Sequence, residues 1–149
     1  MGRARSLIPQ MRLALLALGL WLGAFLSGEA QAQRVTLEIA PSVSRGEPQL
    51  MAYVRGTLPG EIRKAVAGKY KGALRVRILD AKFMRHPGFG IVDRADFLDG
   101  VLIVPGGTPK PIRLTLPFDR SLFMFTPQGE NVRAQNLVSV FAQWVAKYI

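Results

Sequence analysis

The C-terminal segment constrains this chain more than any other part of it. Within residues 132–149, Leu137, Val138, Phe141, Trp144, Val145 and Tyr148 gather on one side of a helix turning about 100° per residue. Gln135, Asn136, Ser139, Gln143 and Lys147 gather on the other. A helix apolar along one side must bury that side against a second layer. Thr126-Pro127 or Asn131 supplies its N-terminal cap.

The segments before it have the two-residue period of strands, which is what such a layer requires. Val35, Leu37 and Ile39 alternate with Thr36 and Glu38. Leu74, Val76 and Ile78 alternate with Arg75 and Arg77, and the apolar parity then moves to Leu79, Ala81 and Phe83. A slip of one residue turns every following side chain to the opposite face. The pattern therefore predicts a β-bulge near Ile78-Leu79, or a strand covered on both faces at its far end. Residues 101–104 are apolar without alternation, as in a central strand covered on both faces. After the turn Pro105-Gly106-Gly107-Thr108-Pro109, Ile112, Leu114 and Leu116 mark a returning strand. Asp119-Arg120 reads as the next turn and 122–125 as the last strand of a meander.

Between the first strands, 41–48 reads as a loop and 50–54 as a short strand. Thr57, Leu58 and Pro59 look like a helix start, with Leu58, Ile62, Val66 and Tyr70 on one side. Gly68 weakens that helix and Gly72 ends it. Residues 93–99 suit one helical turn. The expected fold class is α+β: a small antiparallel sheet with one short internal helix and a long amphipathic C-terminal helix packed on one face.

The N-terminal residues have the order of an export signal. Arg3, Arg5 and Arg12 precede an uncharged, Leu- and Ala-rich run at 13–26, and Ala30-Gln31-Ala32 supplies small residues at the two cleavage positions. The run is shorter than the roughly 20 residues of a membrane-spanning helix, although an uncleaved anchor is the competing reading. Met11-Arg12 begins an equally good signal, so Met11 is an alternative start. The expected organisation is a cleavable signal peptide at 1–32 and a single α+β domain at 33–149, placing the mature protein in the periplasm or outside the cell. The chain has no cysteine, which excludes disulfides and, in a bacterium, lipid attachment at a cleavage-site cysteine. The core alone must hold the fold.

The mature part keeps 17 of the 20 basic and nine of the 10 acidic residues, for a net charge of about +8. Between residues 55 and 85, nine basic side chains face only Glu61 and Asp80. Such a field favours anionic partners. Arg75 and Arg77 lie two apart on one strand, about 7 Å from each other, and Arg63, Lys64 and Lys71 of the preceding helix would extend the patch. A solvated outer face is the bland explanation of the same charges. No aromatic residue interleaves this strand face, and export makes nucleic acid a poor partner.

No catalytic constellation stands out. His86 is the single histidine, without a serine in a nucleophile-exposing turn. Asp93, Asp96 and Asp99 are spaced by three and on a helical turn would converge on a hard cation, but they do not match a calcium loop. Gly106-Gly107 lacks the ending of a phosphate-binding loop, and Gly88 and Gly90 lack a third glycine for a dinucleotide fingerprint. No cofactor is implied. The sequence favours an exported, non-catalytic binding or accessory module whose basic face meets an anionic lipid, a phosphorylated glycolipid or an acidic protein surface. The rival readings are a small hydrolase or metal-dependent enzyme around His86 and Asp93, Asp96 and Asp99, and a structural subunit of an envelope complex.

Overall fold

A computed structural model describes residues 33–84, 95–117 and 121–149. The elements run β1 (Val35–Ile39), α1 (Pro41–Gly46), α2 (Pro48–Val66), β2 (Leu74–Lys82), β3 (Ala95–Ile103), β4 (Lys110–Pro117), a 3-10 turn (Leu122–Phe125) and α3 (Pro127–Lys147). The four strands form one sheet in the order β1-β2-β3-β4. The protein is α+β, with the long C-terminal helix packed on the sheet and its apolar residues Leu137, Val138, Phe141 and Val145 buried.

The sheet is mixed rather than wholly antiparallel. Strands β2, β3 and β4 are the antiparallel meander expected, whereas β1 runs parallel to β2. The connection explains the direction. Two helices join β1 to β2, long enough to carry the chain back to the end from which it started, as parallel pairing requires.

That connection also corrects the reading of 41–59. Residues 41–46 are the short helix α1, and the apolar run at 50–54 belongs to α2 rather than to a strand. Pro41 and Pro48 each stand in a first turn, where a missing N–H removes no helical bond. Leu50, Met51, Val54, Leu58, Ile62 and Val66 are then one continuous buried stripe. Pro59, read as a helix start, lies inside α2. Its missing N–H deprives the Arg55 carbonyl of its usual partner, while nearby Thr57 Oγ1 donates to the Tyr53 carbonyl at 2.7 Å. The helix stops at Val66, and Gly68, at φ 77°, makes the turn out of it four residues before Gly72. Tyr70 leaves the helix but still packs against the core.

The parity change in β2 is a true irregularity: its register against β3 shifts between Ile78 and Asp80. Before it, Leu74, Val76 and Ile78 face the core; after it, Ala81 and Phe83 do, and Leu79 is the exposed extra residue. Strand β3 is interior to the sheet, yet it alternates. Leu98, Gly100 and Leu102 are buried, while Phe97, Val101 and Ile103 on its other face are half-buried. Residues 122–125 are a 3-10 turn rather than a strand. The Val104–Gly107 turn joins β3 to β4, closed by Gly107 N–H to the Val104 carbonyl at 2.9 Å. Thr126 caps α3, its hydroxyl accepting from Gly129 N–H at 3.2 Å.

Candidate anion-binding face

Residues directly opposite in neighbouring strands point to the same side of a sheet. The register pairs Thr36 with Arg75 and Arg75 with Ile103; it pairs Glu38 with Arg77 and Arg77 with Val101. These residues therefore share the face turned away from the helices, because their neighbours Leu74, Val76 and Ile78 fill the core. The side chains of Arg75 and Arg77 are 57% and 58% exposed. Glu38 sits between them, 3.4 Å from Arg75 Nε and 3.9 Å from Arg77 Nε. Exposed pairs of this kind contribute only about 0–1 kcal/mol. One carboxylate shared by two guanidiniums leaves the site positive.

A cleft of about 590 Å³ opens where β1 and β2 begin and β3 ends, lined by Arg34, Thr36, Ala73, Leu74, Arg75, Ile103 and Pro105. The backbone at Arg34 is pinned to β2 by the Leu74 N–H, which donates to the Arg34 carbonyl at 2.8 Å. Arg34 was absent from the sequence-based candidates. It precedes a strand with no charge pattern of its own, and only the parallel β1–β2 register brings it beside Arg75.

The other basic candidates do not join this group. Lys64 lies on α2 opposite the buried stripe and pairs with Glu61 at 2.7 Å. Arg63, also exposed, flanks that stripe, so both look out from the helical layer. Lys71 is exposed in the connection between α2 and β2.

Asp96 and Asp99 are not on the helical turn that their spacing suggested. Asp96 and Asp99 lie in β3, and in a strand residues three apart project to opposite faces. Asp99 is on the outer face, accepting from Arg113 Nε at 2.9 Å. Asp96 faces inward, 2% exposed, against Arg133, 3% exposed. Arg133 donates through Nε to Asp96 Oδ2 at 2.7 Å and through a second nitrogen to Asp96 Oδ1. It also donates to the carbonyls of Met124 at 3.0 Å and Met84 at 2.6 Å, and Met84 N–H donates to Asp96 Oδ1 at 3.0 Å. Its guanidinium lies over the Phe83 ring at 4.4 Å and the Phe125 ring at 5.6 Å. This buried fork ties the end of β2, strand β3, the 3-10 turn and α3 to one another, so Asp96 serves the fold. His86 and Asp93 lie outside the described residues, as do the signal-like segment and Asp119-Arg120. Among the described residues no group of three or more His, Cys, Asp or Glu is placed to hold a metal ion, and no helix is long and apolar enough to cross a membrane.

No family model matches the chain, and no curated protein matches it. Solved structures to which it is weakly similar include a minor lipoprotein from Acinetobacter baumannii, with 15% identity over 78% of this chain and 91% of that one and a TM-score of 0.36. Another is a candidate lipoprotein from Caulobacter crescentus CB15, with 11% identity over 80% of this chain and 85% of that one and a TM-score of 0.37.

Proposed function

We propose that this protein is an exported, non-catalytic binding module of the cell envelope, whose open sheet face meets a phosphate-bearing lipid or glycolipid headgroup. The observation that carries the reading is the outward projection of Arg75 and Arg77, side by side and sharing one carboxylate. Guanidinium forks match phosphate oxygens better than ammonium groups do. The N-terminal order of basic, apolar and small residues supports export. These residues include no cysteine for a lipidated thiol, and the reading takes contact with an envelope surface to rest on non-covalent forces.

Co-sedimentation with anionic vesicles at low and high salt tests this. The protein is expected to bind at low salt and to detach as exposed charges are screened. Arg75→Glu combined with Arg77→Glu should abolish binding while leaving the circular dichroism spectrum and the urea midpoint nearly unchanged, because exposed ion pairs stabilise little. No salt-sensitive binding by the wild type would reduce the face to a solvated one. Unfolding of the double variant would make the arginines structural partners of Glu38. Binding to an acidic protein but to no vesicle would replace the headgroup by a protein partner.

A further inference from the structure

We propose that the cleft at the start of β1 and β2 is the seat of a single phosphate monoester, held by Arg34, Arg75 and the Thr36 hydroxyl, with Glu38 as the built-in competitor for Arg75. The proposal rests on the anion-binding reading of the sheet face and adds the position, the donors and the class of ligand.

Three observations carry it. First, two arginines of unequal engagement line the cleft. Among the described residues no carboxylate stands within ion-pair reach of Arg34, and Arg75 is loosely held by Glu38 at 3.4 Å. Two cations facing one opening match the double charge of a phosphate monoester better than the single charge of a carboxylate or a diester. Second, the remaining wall supplies what a phosphate ester needs beyond charge. The exposed Thr36 side chain offers a hydroxyl donor, and Ile103 and Pro105 form an apolar side against which the esterified group lies. The volume, about 590 Å³, leaves room for that group. Third, the register makes the exchange of partners electrostatically balanced. Glu38 lies directly across from Arg77, 3.9 Å from its Nε. When a phosphate takes Arg75, Glu38 keeps Arg77 as its partner. Arg77 itself does not line the cleft.

Glycerol 3-phosphate in solution reads the monoester alone. Phosphatidylcholine vesicles doped with phosphatidic acid or with phosphatidylglycerol read a monoester or a diester on a membrane. Arg34→Ala and Arg75→Ala should each weaken glycerol 3-phosphate by about tenfold, the effect of losing a charge-assisted contact. Lys64→Ala, on the helical layer, should change it by less than about twofold, as expected for a screened, exposed charge outside the cleft. Glu38→Gln should tighten binding by about twofold to fivefold, the span of an exposed charge interaction; a misfolded variant would not gain affinity. Recruitment to phosphatidic acid vesicles beyond the soluble affinity identifies a lipid headgroup as the source. Soluble binding without recruitment identifies a free phosphate ester. Either outcome supports the seat if Arg34→Ala weakens it by about tenfold. Equal losses in Arg34→Ala and Lys64→Ala, or equal binding of monoester and diester, overturn the seat. Vesicle binding that survives Arg34→Ala but not the Arg75→Glu, Arg77→Glu double variant overturns the seat and leaves the wider face standing.

Discussion

Asp96 and Arg133 make the fold's most exacting contact, and separating them has a calculable cost. Replacing Asp96 by Leu takes the bidentate carboxylate from a guanidinium that is 3% exposed and that also donates to the Met84 and Met124 carbonyls, and it orphans the Met84 N–H. Breaking one side of a buried pair costs about 3–5 kcal/mol, a large share of the roughly 5–15 kcal/mol that holds a domain folded. Arg133→Met should cost a similar amount, because it strands the Asp96 carboxylate and two backbone carbonyls. The double variant removes both charges together. It still leaves the Met84 and Met124 backbone groups unpaired, but it should be less destabilised than the sum of the single variants by about 2–3 kcal/mol. Urea unfolding followed by circular dichroism reads all four proteins. With m of about 1–3 kcal/mol/M, each single variant should lower the midpoint by at least about 1 M. Strictly additive single effects, or a single-variant shift below about 0.3 M, would refute the view of Asp96 as a buried structural ion and return it to the list of candidate ligands.

Two further expectations bear on the core and on export. Phe141 is fully buried, and its ring tip lies 3.1 Å from where a side chain on Gly100 would begin, so Phe141→Ala should cost about 3–5 kcal/mol through the cavity it leaves; a urea midpoint unchanged within error would mean that α3 does not seal the sheet there. If 1–32 is a cleaved signal, N-terminal sequencing of exported protein should begin at Gln33, and recovery of the uncut chain in the membrane fraction would favour an anchor instead.

Local periodicity was sufficient for much of this molecule. The apolar side of α3, the alternation of β2 and the irregularity after Ile78 all follow from side-chain spacing within one element, whereas the choice of Thr126 over Asn131 as the α3 cap does not. So does the outward direction of Arg75 and Arg77, since a strand whose apolar residues face the core must turn the alternate ones away. The apolar run at 50–54 was less informative, because so short a run fits a strand or a helix equally. Its continuity with Leu58, Ile62 and Val66 settles the matter only when Pro59 is allowed inside a helix. The spacing of Asp96 and Asp99 misled for a related reason: residues three apart share a side on a helix and are divided between faces on a strand.

What the sequence by itself determined was therefore the inventory of faces: which side of each strand or helix is apolar, where a charge stands on it, and where the pattern slips. Tertiary structure alone decided which faces meet. The parallel pairing of β1 with β2, the approach of Arg34 to Arg75 and the burial of Arg133 on Asp96 each join residues far apart in the chain. Spacing is a property of one segment and is written into it. Strand direction and ion pairing are properties of two segments, set by the length of the connection between them and by the energetic demand that a buried charge find its partner.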